Sequence, residues 1–341
     1  MHSKLRALIA ALVIGIAPTA RAADVEQTNV KLILDWVYDG AHAFILLTDA
    51  KGYFKQEGLN VQIDAGTGSG VAVQNAASGV YQFAIADIPT MVQFDGKNPD
   101  KLATAFYMVF DQTPIAIMSL ESRAIRTPKD LDGKKITGRP GQAAYLLTPL
   151  LLKRAGVPNA KIDWQNVSPQ VEGALFVRGG IDGMSGFSVS QAIAVAELGV
   201  PIKDIHVMKF ADQGVDLYGL GFLTSKSFME QNPKTVAAFA RAVNRGLKDA
   251  LADPKGTIEA LRKRAPLIKP EYELLRLNLA RDLILTPQVK QHGLSAVTTA
   301  RVQGMIDTIS ELDTPTKKPS VADIYTDRFL PSATDRRAPA K

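Results

Sequence analysis

Cysteine is absent from the 341-residue chain. That absence removes disulfides, thiolate nucleophiles, cysteine-ligated zinc and iron–sulfur clusters together. Histidine is scarce as well: His2, His42, His206 and His292 are the four, and none falls at a metal-ligand spacing. Neither a metal nor a cofactor is therefore expected. The Gly-x-Ser-x-Gly elbow of serine hydrolases is missing; Gly68-Ser69-Gly70 is the nearest match, at the wrong spacing. Gly66-Thr67-Gly68-Ser69-Gly70 is glycine-rich but lacks the lysine of a nucleotide-hydrolysing phosphate loop. Beyond the N-terminus no apolar run approaches the ~20 residues of a membrane span. No basic run is interleaved with aromatics, so nucleic-acid partners are not expected.

What is present is ordinary for a globular chain, with 46% hydrophobic and 22% charged residues. A chain of this length has enough apolar material to hold itself without disulfides, in about two domains. The N-terminus is different. His2, Lys4 and Arg6 precede the apolar run Ala7 to Ala17, followed by Pro18, Thr19 and Ala20-Arg21-Ala22. A basic start, a short apolar stretch and an A-x-A site read as a signal peptide cleaved after Ala22. Its removal takes three cations and no acid, lowering the formal charge from +6 to +3. An exported chain without disulfides suits a bacterial periplasm.

Strands and helices alternate along the chain. Val30 to Asp35 reads as a strand, Ala41 to Ala50 as a helix stopped by Gly52, and Leu59 to Ile63 as a second strand. The glycine-rich loop then opens a helix over 71–78, and Phe83 to Asp87 is a buried strand ending in the turn Asp87-Ile88-Pro89-Thr90. Strand candidates follow at 103–109 and 114–118. Residues 133–200 repeat the same strand–helix logic, with helices at 143–155, 170–178 and 189–198. This pattern predicts βαβ units and largely parallel sheets. Leu217 to Thr224 is read as a strand crossing back to the first half. Asn232-Pro233 opens a long helix with an apolar face, and further helices fill 255–265, 270–284 and 297–312. The segment 331–341, rich in Pro, Ala and charge, is expected to be disordered.

Candidate binding residues gather where strands end, which is where open α/β sheets take their ligands. Trp36 and Tyr38 offer flat rings for stacking; Asp39 and His42 offer polar handles. The alternative for Trp36 is a core aromatic and for His42 a helix-start residue. Thr67, Gly68 and Ser69 place hydroxyls and backbone N–H groups at a helix N-terminus, a geometry for anions. Asp87 either bonds a ligand amine or caps the following helix. Gln142, Tyr145, Ser185 and Phe187 hold the corresponding positions in the second half, and Tyr218 lies near the return crossing.

The order of these segments resembles the solute-binding proteins of ABC importers. The subgroup is the one with thiamine-pyrimidine-precursor, alkanesulfonate, taurine and nitrate binders. The segments that carry the likeness span roughly 30–250. They are Leu34-Asp35-Trp36 with His42, Lys51-Gly52-Tyr53-Phe54 with Glu57-Gly58-Leu59, the 66–70 loop and Phe83 to Asp87. They continue with Asp130-Leu131-Asp132-Gly133-Lys134-Lys135-Ile136, Ile181-Asp182-Gly183 and Asn232-Pro233.

The resemblance implies a type II-like, two-lobe α/β periplasmic binding protein fold. Lobe I would comprise 23–117 and 219–330, and lobe II 118–218, with the ligand in the cleft between them. It implies a monomer that captures a small molecule by lobe closure and delivers it to a membrane permease and ATPase. A pyrimidine-like heterocycle is favoured as ligand, with a sulfonate or aromatic acid as the other possibility. Some proteins of this fold are enzymes that build the thiamine pyrimidine from pyridoxal phosphate and a histidine. Those carry a Cys-rich motif, which this chain lacks. A periplasmic enzyme using Asp39 and His42 in the same cleft is the alternative function, and a subunit presenting the fold to a membrane sensor is a third.

Overall fold

The chain begins its first sheet with a strand whose alternate side chains face inward, β1 (Asn29–Ile33). It continues through α1 (Ala43–Ala50), α2 (Tyr53–Gln56), β2 (Asn60–Asp64), α3 (Ser69–Ala77), β3 (Phe83–Asp87), α4 (Ile88–Lys97) and β4 (Ala103–Met108). It then crosses to a second sheet through β5 (Ile115–Leu120). There follow β6 (Lys135–Thr137), α5 (Ala143–Arg154), β7 (Asp163–Gln165), α6 (Pro169–Val177), β8 (Gly183–Phe187), α7 (Ser188–Ala196) and β9 (Ile205–Lys209). The return strand β10 (Leu220–Ser225) re-enters the first sheet. Then come α8 (Lys226–Gln231), α9 (Pro233–Ala252), α10 (Pro254–Arg264) and α11 (Pro270–Ile284). The computed structural model describes residues 24–312 and 316–339. The expected signal peptide, 1–22, lies outside the described residues.

The two sheets share one plan. Their orders are β2-β1-β3-β10-β4 and β7-β6-β8-β5-β9. In each, the strand next to a crossing is inserted antiparallel, β10 between β3 and β4 and β5 between β8 and β9. The β1/β2/β3 and β6/β7/β8 pairings are parallel. β3 is buried along its whole length, as a strand covered on both faces must be. These are the two lobes of the periplasmic binding protein fold. The chain crosses between the lobes twice, from β4 to β5 and from β9 to β10.

Helix α9 gives the first lobe much of its core. Val236, Phe239, Val243, Leu247 and Leu251 are buried along one face, and Phe239 stacks on Phe83 with ring centroids 4.1 Å apart. Side chains of this size each contribute about 1.5–3 kcal/mol on full burial. Pro233 occupies the first turn as expected, but Asn232 does not cap it: its amide donates backward to the Phe228 carbonyl at 3.2 Å. Strand β9 was not anticipated by the sequence reading; it supplies the edge beside β5.

Residues 331–339 correct the expectation of a disordered tail. The Asp335 carbonyl accepts from Asn244 at 3.1 Å and Lys248 at 2.8 Å. The Leu294 N–H donates to the Arg336 carbonyl at 2.7 Å, and Arg336 Nη1 returns a bond to the Leu294 carbonyl at 2.8 Å. Its Pro and charged composition masks a segment held by its backbone carbonyls.

Candidate functional site

The carboxyl ends of β1, β6 and β8 face one another across a narrow cavity of about 30 Å³. Asp35 and Trp36 follow β1, and Gly68 and Ser69 open α3. Gln142, Ala143 and Ala144 come from the start of α5, Phe187 ends β8, and Ser190 and Gln191 lie on α7. That volume is room for a water or two, so a ring-sized ligand needs the walls to part. One aromatic ring comes from each lobe, Trp36 and Phe187, with amide, hydroxyl and carboxylate groups between them.

Behind the first wall lies a buried ionic cluster. His42 Nε2 is 2.8 Å from Asp35 Oδ1 and its Nδ1 is 2.9 Å from Asp39 Oδ1. Two carboxylates therefore hold both ring nitrogens. Burial works against the imidazolium, but Asp39 and Asp35 outweigh it and raise the pKa to about 10. Burial would likewise raise Asp39, but His42, Arg276 and the Ser190 hydroxyl hold it at about 2. The other Asp35 oxygen accepts from Ser69 Oγ at 2.9 Å. That hydroxyl in turn accepts the Asp87 backbone N–H at 3.1 Å. Asp87 caps α4, accepting from Thr90 N–H at 3.0 Å and Thr90 Oγ1 at 2.8 Å. Its Oδ1 is buried with no hydrogen-bond partner. Burial pushes this carboxyl up to about 7 against those two bonds.

The cluster also ties the lobes together. Ser190 Oγ donates to Asp39 Oδ2 at 2.7 Å. Arg276 on α11 bonds Glu273, approaches Asp39 at 3.8 Å and reaches Glu197 beyond α7 at 3.3 Å. Glu273 also accepts the Gly40 N–H at 2.5 Å. The Gly70 N–H donates to the Gly141 carbonyl at 2.7 Å. A Cβ added to Gly68 or Gly70 would sit 2.8 or 2.9 Å from Gly141 atoms, so glycine is what allows the two loops to meet. The amides of the 66–70 loop are thus partly engaged: Gly66 N–H bonds the Trp36 carbonyl at 2.9 Å, and Gly70 reaches the opposite lobe.

Of the residues proposed from sequence, the structure brings Trp36, Gly68, Ser69, Gln142 and Phe187 to the cavity. Asp39, His42 and Asp87 lie behind its wall in the cluster. The others are engaged elsewhere. Tyr38 donates to the Ile63 carbonyl at 2.8 Å and accepts from Arg264 at 3.2 Å. Thr67 is exposed. Tyr145 packs on Trp164 with centroids 4.8 Å apart. Ser185 Oγ donates to the Thr137 carbonyl at 2.6 Å. Tyr218 is buried beneath Arg301, which lies 4.1 Å from its ring centroid. The sequence reading missed Asp35, Ala143, Ala144, Ser190 and Gln191. Asp35 carried a signal as the acid ending a strand; Ser190 and Gln191 read only as helix.

Among the described residues no group of His, Asp and Glu could hold a metal ion, and no helix is long and apolar enough to cross a membrane. The architecture and the placement of the cleft define a periplasmic binding protein fold. The alkanesulfonate-binding protein SsuA of Xanthomonas axonopodis pv. citri, solved with MOPS bound, superimposes with a TM-score of 0.66. The match covers 88% of this chain and 99% of that one at 16% identity. Within that class, the family described as NMT1/THI5 like matches residues 39–257, and the chain belongs to it. The formylaminopyrimidine-binding protein of Halalkalibacterium halodurans is 26% identical over 90% of this chain and 94% of its own length. The riboflavin-binding protein RibY of Chloroflexus aurantiacus is 28% identical over 79% of this chain and 75% of its own. Other relatives, in Aspergillus parasiticus and Legionella pneumophila, are named 4-amino-5-hydroxymethyl-2-methylpyrimidine phosphate synthases.

Proposed function

We propose that this chain is the extracytoplasmic ligand-binding component of an ABC importer, and that it captures a planar heterocycle without changing it. The carrying observation is a cavity built by both lobes, with Trp36 and Phe187 on opposite walls. Rings of this kind suit a flat ligand, and the surrounding Asp35, Ser69, Gln142 and Gln191 suit ring nitrogens and amino groups. Two relatives named for binding formylaminopyrimidine and riboflavin support a nitrogen heterocycle. The signal-peptide pattern at 1–22 supports export, and closure of the lobes would present the permease with a shape it reads.

The enzymatic alternative rests on relatives named as synthases. His42 does not favour it. A general base must be free of its proton near the working pH. Held between Asp35 and Asp39, this imidazole keeps its proton up to about pH 10. Its role is to balance charge, keeping a carboxylate fixed at the cavity wall.

A thermal-shift screen of aminopyrimidines, flavins and aromatic acids should give a stabilised hit, with the ligand recovered intact by mass spectrometry. Trp36→Ala should then weaken the hit roughly 10- to 100-fold while the fold persists. Undiminished binding by that variant would place the ligand outside this cavity, and chemical conversion of the ligand would favour the enzyme.

A further inference from the structure

A partly used guanidinium stands behind the cavity wall, against the Trp36 ring that lines it. Arg139 follows β6, in the loop that leads to α5. Its backbone N–H donates to Gln142 Oε1 at 2.8 Å, and its Nη1 donates to the Val167 carbonyl at 2.9 Å. These bonds fix the group in place. Across the cleft, the guanidinium carbon lies 5.1 Å from the centroid of the Trp36 ring. Nε and Nη2 are buried and make no hydrogen bond to the protein. Those two nitrogens form one edge of the guanidinium, where N–H bonds run side by side in the geometry that takes a carboxylate bidentately.

The acid that acts on this group is not bonded to it. Glu172 acts on Arg139 through the field alone, while its own oxygens accept from Thr137 and from Gln191, the latter at 3.3 Å. Burial also raises the Glu172 carboxyl, which weakens it as a counterion. Leaving charged donors buried without an acceptor is costly, and an arriving anion relieves that cost. Two amides of the glycine-rich loop are closed to the same anion, because Gly66 and Gly70 have their N–H groups bonded to the Trp36 and Gly141 carbonyls.

We propose that Arg139 is a specificity-determining residue that receives an oxyanion carried on the ligand's planar ring. The proposal rests on the cleft being the ligand site, and it narrows the ligand from a flat heterocycle to a flat ring bearing an acid group. A carboxylate fits the two parallel donors; a sulfonate shares the chemistry and is a separate arm of the test.

The full chain is titrated by calorimetry with matched probes: pyridine-3-carboxylate against pyridine-3-carboxamide, benzoate against benzamide, benzenesulfonate, and the neutral 4-amino-2-methylpyrimidine. The expected result is that an acid binds roughly 10- to 100-fold more tightly than its amide. That preference disappears in Arg139→Gln. Arg139→Lys keeps the charge and stem but loses the paired edge, so it retains only part of the preference; it also decides the matter if the Gln variant folds poorly. Benzenesulfonate binding with the same dependence on Arg139 supports the shared oxyanion chemistry. Equal binding of acid and amide overturns the proposal, as does a preference that survives Arg139→Gln. If the neutral pyrimidine alone binds, the binding function stands and the role of Arg139 falls. If no probe binds, both fall.

Discussion

Asp87 shows how much the surroundings of one side chain decide. It is fully buried, one carboxyl oxygen has no partner, and its pKa rises from 3.8 to about 7. The folded protein therefore holds a proton that the unfolded chain releases. Stability falls as pH rises from about 4 to about 7, and the loss is complete above that window. Asparagine keeps an acceptor for Thr90 and has no charge to bury. Asp87→Asn should match the parent near pH 4 and gain on it toward pH 8, by on the order of 4 kcal/mol at most. Urea titrations at the two pH values check this; parallel pH curves for variant and parent would show that Asp87 is ionised in the fold. From sequence, ligand contact and capping were equally open for this residue, and the hydrogen bonds from Thr90 give it the cap. For Trp36 a stacking ring and a core aromatic were both open, and the structure puts the ring in the cavity lining. The three tyrosines Tyr38, Tyr145 and Tyr218 were not, because their partners Ile63, Trp164 and Arg301 are distant in sequence.

Elements were easier to read than side chains, since glycine and proline mark helix ends by local sterics alone. Gly52 shows this, with its left-handed φ of 69° directly after α1. What local rules could not reveal is why the 66–70 loop is glycine-rich. Its composition resembles an anion cradle, yet its glycines let the loop meet Gly141 on the other lobe. Gly70→Ala separates the two roles. Gly70 lies in the first turn of α3 with no positive φ, where alanine is tolerated and favours the helix by about 1 kcal/mol. Its Cβ would sit 2.9 Å from the Gly141 Cα, a clash that exists only when the lobes are together. The variant should therefore keep or slightly raise its melting temperature while ligand affinity falls by roughly tenfold. A variant that binds normally would mean that the loops separate during binding.

At the scale of the molecule, two lobes were legible because the strand–helix alternation occurs twice, but their contacts were not. Closure depends on groups far apart in sequence: Ser190 on Asp39, Arg276 on Glu197, and Lys269 on the Glu197 carbonyl at 3.2 Å. The Ser190 bond should matter most, because its acceptor is buried and stays ionised down to about pH 2. Hydrogen bonds to charged groups contribute about 1.5–3 kcal/mol. When the lobes part, water can solvate both partners, so the bond favours only the closed form. Ser190→Ala should shift the balance toward the open form by roughly 10- to 100-fold in the ligand-free protein. Ser190 also lines the cavity, so ligand affinity alone would mix two effects. The readout is therefore the ligand-free shape, by small-angle scattering or by fluorescence transfer between dyes on the two lobes. An increased radius of gyration or dye separation places the bond in closure. An unchanged shape with weakened ligand binding would assign Ser190 to the ligand, leaving Arg276 and the Gly70–Gly141 contact to hold the lobes together.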